Sequence, residues 1–154
     1  MIVEFDGEYE FLSNFYHSPF IHDGIAYPTN EHFFQAMKTI DITERKAIAA
    51  AETPGLAKRM GRTVKLRSDW EKIKVDIMLL GLSLKFKNPD LAAKLIATGD
   101  EELVEGNWWH DNTWGNCHCP QCSRVGGRNL LGMLLMELRK ELQYGDSSDE
   151  VAHF

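Results

Sequence analysis

Cysteine is scarce in this chain and poorly placed for bridging: Cys117, Cys119 and Cys122 are the only three, all within one short segment. An odd, tightly clustered set is not a disulfide framework, so a reducing, cytoplasmic setting is expected. Long apolar runs are missing too. None approaches the roughly 20 residues that a bilayer-crossing helix needs, and no N-terminal charged and apolar segment reads as a cleaved signal, so neither membrane insertion nor secretion is expected. Positive charge is in deficit, with 17 Lys and Arg against 23 Asp and Glu and a formal charge of −6. The net field opposes phosphate, so any grip on it must come from a local basic patch. There is no internal repeat. What is present, 44% hydrophobic and 26% charged residues over 154 positions, excludes a disordered chain and suits one domain with a real core.

Aromatics crowd the opening segment, where Phe5, Tyr9, Phe11, Phe15, Tyr16 and Phe20 recur at uneven spacings, which suits short strands and packed loops better than a helix. Phe20-Ile21-His22 and Ile25-Ala26-Tyr27 flank Asp23-Gly24, a pair that tolerates the positive φ of a tight hairpin turn. A helix is predicted over 31–40, capped by Thr29 or Asn30, which puts Glu31 in its first turn. Shorter helices are predicted over 43–52 and 56–60. Ser68-Asp69-Trp70-Glu71 reads as a capping box, followed by Trp70, Ile73, Ile77, Leu80 and Leu84 at helical spacing. Val75, Met78, Leu79, Leu82 and Phe86 widen that stripe into a buried central helix. Asn88-Pro89 starts the next, over 90–97. The last helix, about 128–142, presents Leu130, Leu131, Leu134, Leu135 and Leu138, with Gly132 allowing close helix approach. The domain is expected over 1–142, and 143–154 as an acidic, flexible tail.

The stretch from Glu105 to Gly127 is an irregular loop holding three of the four tryptophans (Trp108, Trp109, Trp114), His110, Asp111 and all the cysteines. Loops of that length in compact domains are usually functional. Carboxylates (Glu31, Asp111), tryptophans able to stack on a ring (Trp70, Trp109, Trp114) and scattered cations (Lys38, Arg62, Lys65, Arg128) suit a nucleotide or nucleoside ligand. Cleaving a sugar-to-nitrogen bond needs an anionic group beside a developing oxocarbenium ion, a positioned water and a grip on the leaving heterocycle. A first-turn carboxylate is favoured ionised, which suits Glu31 to those tasks better than to donating a proton.

Each residue has a plainer reading. Glu31 can be an ordinary first-turn acid, Trp70 a core anchor, Lys38 and Arg62 solvated charges, Trp114-Gly115 a loop staple and Asp111 an Asx-turn acid. Cys117, Cys119 and Cys122 have the spacing Cys-x-Cys-x-x-Cys with no second pair, so they read as thiols that pack or order the loop; zinc, with His110 as fourth ligand, is the alternative. Gly126-Gly127-Arg128-Asn129 can offer backbone N–H groups to phosphate or simply open the last helix.

Phe11-Leu12-Ser13-Asn14-Phe15-Tyr16, Tyr27-Pro28-Thr29-Asn30-Glu31-His32-x-x-Gln35-Ala36-x-Lys38, Gly61-Arg62, the helix from Trp70 to Lys85-Phe86, Asn88-Pro89, Ala97-Thr98-Gly99, Trp114-Gly115 and Gly127-x-Asn129-x-Leu131-Gly132 resemble the YbiA-like, or NADAR, family. The resemblance covers about residues 5 to 142. It implies an α+β, mainly α-helical single domain with a small N-terminal antiparallel β element, and N-glycosidase activity without cofactor or metal. The implied substrates are phosphoribosylaminopyrimidine intermediates of the early riboflavin pathway or ADP-ribosylated guanine, free or as a modified base in nucleic acid. It places catalytic residues on Glu31, Trp70 and Asp111. The substrate-holding positions expected with them are Asn14, Phe15, Lys38, Arg62, Trp114, Gly115 and Asn129. The other reading open to the same residues is a module that binds ADP-ribose or a related nucleotide without turning it over.

Overall fold

The computed structural model describes residues 1–145. About half of these are helical, alongside a small antiparallel two-stranded sheet, so the fold is α+β and mainly α. The chain divides into two compact units: Asn14–Lys85, and Met1–Ser13 together with the chain from Phe86 onward.

The first unit, Asn14–Lys85, opens with the hairpin of β1 (Phe20–His22) and β2 (Ile25–Tyr27). Phe20 pairs with Tyr27 and His22 with Ile25. Asp23 and Gly24 take φ of 49° and 77°, as a tight hairpin turn of this hand requires. Phe20 and Tyr27 meet Phe33 edge-on, both at 5.3 Å between ring centroids, which binds the ribbon to α1 (Asn30–Ala36). Thr29 caps α1 by accepting from the His32 N–H. The helix ends four residues earlier than predicted. Lys38 and Thr39 N–H bond back to the Gln35 and Ala36 carbonyls in tight turns, and Asp41 caps the next helix. That is α2 (Ile42–Ala49), and α3 (Pro54–Gly61) follows; both pack on α1.

The long helix α4 (Trp70–Lys85) also packs on α1. It starts one residue after the Ser68 capping box predicts: the Asp69 carbonyl receives the Lys72 and Ile73 N–H groups, while the Asp69 carboxylate grips Arg67. Its burial is uneven. Past Trp70 the first turns are half-buried or exposed, Val75 among them, and the fully buried run is Ile77, Met78, Leu80, Gly81, Leu82 and Lys85.

In the second unit the opening segment differs from the expected strands and loops, because Gly7–Leu12 forms a 3-10 helix that buries Phe11 and Leu12. Ile2 makes one parallel bridge to Leu103. Helices α5 (Pro89–Ala97) and α6 (Leu130–Tyr144) pack together. Asn88 caps α5 by accepting from Asp90 and Leu91 N–H, with Pro89 in the first turn. The intervening loop is pinned by β3 (Gly106–Asn107) and β4 (Asn116–Cys117), paired in parallel. Helix α6 runs two residues past the expected domain end at 142. Of the expected tail, 146–154 lies outside the described residues. Gly132 does serve a close approach, but to the Leu103 carbonyl rather than to a helix: a Cβ there would lie 2.1 Å from that oxygen. No helix of the described residues is long and apolar enough to cross a membrane.

Candidate functional site

Within Asn14–Lys85 the motif around Glu31 builds a rigid shelf. Glu31 occupies the first turn of α1 and is only 7% exposed. Its N–H donates to the Asn14 carbonyl at 3.0 Å, and its Oε1 accepts from Gln35 Nε2 at 2.8 Å. The carboxylate is therefore oriented from one helical turn on, by Gln35 of the same motif, a residue to which the sequence alone gives no role. Asn14 Oδ1 accepts from Asn30 Nδ2 at 2.8 Å, so the expected sugar-holding amide is tied to the shelf itself. Glycine makes room for both amides: a Cβ at Gly61 would lie 1.9 Å from Gln35 Oε1, and one at Gly81 1.9 Å from Asn30 Oδ1. His32, the neighbour of Glu31 in the motif, is a fastener. Its ring lies 2.7 Å from Thr29 Oγ1 and 2.9 Å from the Ala51 carbonyl, and burial pushes its pKa down.

Cations gather beside this shelf. Lys38 Nζ lies 5.9 Å from the Phe34 ring centroid, and Phe34 packs against Trp70 at 5.0 Å. Burial lowers the Lys38 pKa, the Glu31 carboxylate opposes that by raising it, and Arg62 and Lys58 lower it further. Lys38 thus feels one carboxylate and two other cations, a local concentration of positive charge in a chain of net charge −6. Lys58 carried no signal in the sequence beyond its charge. Trp70 is 6% exposed, so most of its indole serves packing, whatever its remaining edge does. Phe15 is exposed. Lys85, at the end of α4, is almost fully buried with Nζ 5.7 Å from the Tyr16 ring, and burial brings its pKa down to about 7. A cleft of about 700 Å³ lined by Thr39, Asp41, Lys65, Arg67 and Asp69 also lies on this unit, and of the expected cations only Lys65 lines it.

The remaining expected residues lie on the second unit. Asp111 Oδ1 accepts from the N–H groups of Thr113 and Trp114 at 3.1 and 2.9 Å, an Asx turn of the kind the plainer reading anticipates. Its backbone is clamped by the buried Asn107 amide, which accepts from Asp111 N–H and donates to Asp111 O. Trp114 is half-buried. Gly115 admits no Cβ, which would lie 1.8 Å from Glu105 Oε2. Asn129 has αL backbone, with φ of 50°. Its side chain is committed to backbone, Oδ1 accepting from Glu105 N–H at 3.0 Å and Nδ2 donating to Leu103 O at 2.8 Å. The backbone N–H groups that were a candidate phosphate cradle are occupied as well. Those of Gly127, Arg128, Asn129, Leu130 and Leu131 donate to Asn116 Oδ1 and to the carbonyls of Asn112, Gly115, Thr113 and Trp114. This corrects the phosphate alternative: the turn is a loop-to-helix clasp.

The NADAR domain profile matches residues 3–143. The chain is 40% identical over 138 residues to the N-glycosidase YbiA of Escherichia coli K12, covering 88% of this chain and 82% of the relative. It is 39% identical over 121 residues to an N-glycosidase of Nostoc punctiforme, with 75% and 74% covered. A riboflavin biosynthesis protein of Vibrio vulnificus is 37% identical over 145 residues, matching 90% of this chain but 37% of that longer protein. The NMR structure of Escherichia coli YbiA superposes with a TM-score of 0.79 and 36% identity, over 99% of this chain and 92% of the other. With a matched profile spanning nearly its whole length and relatives about 40% identical over most of both chains, the chain belongs to the NADAR domain family.

Proposed function

We propose that the protein is an N-glycosidase that hydrolyses the bond between C1 of a phosphorylated ribose and a nitrogen of its heterocycle. The observation that carries this is the buried Glu31 carboxylate, fixed by Gln35 with Lys38 beside it, in a chain whose relatives are named N-glycosidases. As the C–N bond lengthens, positive charge builds on the ribose ring. A preorganised anion that needs no reorientation stabilises it, and can hold the attacking water. Water supplies hydroxide to C1 and a proton to the departing nitrogen. Lys38, Arg62 and Lys58 hold the phosphate, and the free edge of Trp70 bounds the base or sugar. The catalytic role for Asp111 is kept as part of the proposal, with Asp111→Asn as its own test.

Two substrate classes fit: phosphoribosylaminopyrimidines, which the name of the Vibrio relative favours, and ADP-ribosylated guanine. Incubation with each, followed by mass analysis, reads released sugar phosphate or ADP-ribose directly. Glu31→Gln is expected to lower kcat/KM by about 100- to 1000-fold, the usual cost of removing one preorganised electrostatic partner. Folded Glu31→Gln and Trp70→Ala proteins that keep full hydrolysis of both classes would sink the proposal. Tight binding by the wild type with no release would mean a binding module instead.

A further inference from the structure

His110, Cys117, Cys119 and Cys122 converge although their spacing offers no second cysteine pair. Their ligand atoms all lie within 4.8 Å of one another. His110 Nδ1 is 3.4 Å from Cys119 Sγ, 3.4 Å from Cys122 Sγ and 3.8 Å from Cys117 Sγ. Three sulfurs around a single ring nitrogen is not a hydrogen-bonding arrangement, because a neutral imidazole nitrogen has either one proton to give or one lone pair to receive with. It is the arrangement of a tetrahedron. With Zn–S of about 2.3 Å and Zn–N of about 2.05 Å, the N···S edge of a tetrahedral site is about 3.6 Å, and the three distances here bracket that value.

The surroundings are arranged for the same purpose. His110 takes the left-handed backbone region, φ 69°, which a residue with a side chain adopts at a cost and which here turns its ring back over the cysteines. Cys117 is fixed in β4, and its N–H donates to Asn112 Oδ1 at 2.9 Å. The sulfurs receive backbone N–H groups: Cys119 N–H points at Cys117 Sγ (3.5 Å) and Cys122 N–H at Cys119 Sγ (3.4 Å). Such donors stabilise thiolates rather than thiols and orient them toward a metal. Cys122 is supplied by the 3-10 turn Cys122–Arg124.

We propose that these four side chains form a structural zinc site. Binding converts three thiols and one neutral imidazole into a Cys3His-zinc centre of net charge −1 and releases three protons. Soft thiolates in a tetrahedral set select zinc over the hard divalent cations. All four positions are filled by protein, so the centre is closed and holds the loop in shape rather than activating water. It ties together both ends of the segment 110–122, which includes Asp111 and Trp114.

The test needs no substrate and is independent of the glycosidase proposal. The full chain, produced with zinc supplied and purified under reducing conditions without a metal-affinity step, is expected to hold about one zinc per chain by elemental analysis. His110→Ala and Cys119→Ser should each lose most of it; His110 is exposed, so its loss leaves the core intact. Titrating metal-free protein with Co2+ alone should give, at one equivalent, the intense visible bands and sulfur-to-cobalt charge-transfer absorption of a tetrahedral thiolate site. Zinc-free protein, zinc content unchanged in both variants, or a weak octahedral cobalt spectrum would each overturn the proposal.

Discussion

Gly81 and Gly61 do their work by having nothing to offer. Each sits where a buried amide, Asn30 or Gln35, needs the space a methyl group would fill, and Gln35 in turn holds the Glu31 carboxylate. Gly81→Ala is therefore expected to cost about 1–3 kcal/mol in chemical denaturation, the usual range for overpacking a tight interior, and to lower activity by displacing the shelf. Gly55→Ala is the control, because a Cβ there meets only Thr53 Oγ1 at 3.9 Å; equal losses in both would refute the account. Sequence spacing puts Glu31 in a helix's first turn and stops there. It says nothing of Gln35 one turn on as the orienting partner, since that depends on which rotamers the neighbouring helices leave open. Nor does it separate Lys58 from any other surface lysine, because its role comes from lying near Lys38 and not from local pattern.

Among the elements, the hairpin and the Asn88 start of α5 were legible in advance, and the α1 cap was narrowed to Thr29 or Asn30, because tight-turn chemistry and capping are local; the structure chooses Thr29. Helix lengths were not: α1 ends early because Asp41 starts a new helix, and α4 starts from Asp69, whose carbonyl receives the Lys72 and Ile73 N–H groups, rather than from Ser68. The entry to α6 is tertiary throughout. Five consecutive N–H groups, 127 to 131, bond to the loop at 112–116, and the Asn129 amide clips Leu103 and Glu105. Asn129→Ala removes both clips and places alanine in αL backbone, so a loss of about 2–4 kcal/mol is expected. Asn129→Gly should lose less, because it keeps the backbone conformation without strain. Hydrogen exchange of the Gly127–Leu131 amides would check this: protection unchanged in Asn129→Ala contradicts the clasp.

For the whole molecule, pH dependence follows from three buried groups. Folded Lys85 loses its proton near pH 7, whereas the unfolded lysine keeps it to about 10.5. Between those values the unfolded chain binds more protons, so stability rises with pH, by up to about 1.4 kcal/mol per unit. Burial lowers the His32 pKa below 6.5, which gives the same sign of slope on the acid side. Tyr27, pushed up to about 12 by burial, reverses it above pH 10, where the unfolded phenol ionises first. Denaturation at pH 7.5 and 9.5 should show wild type gaining stability and Lys85→Met nearly flat; parallel slopes would refute the assignment to Lys85. The sequence by itself determined the hairpin and the place of Glu31 and Trp70 at helix starts, because turn chemistry and periodicity are written locally, and its motifs in matching order carried the family resemblance that implied the α+β class. Only the tertiary structure decided that Gln35 aims Glu31, that the last helix's N–H groups serve the loop and not a phosphate, and that His110, open in the sequence as an alternative fourth ligand, converges with the three cysteines. The first depends on the rotamers that packing leaves open, the second on partners some fifteen positions away along the chain, and the third on a left-handed backbone at His110, none of which spacing encodes.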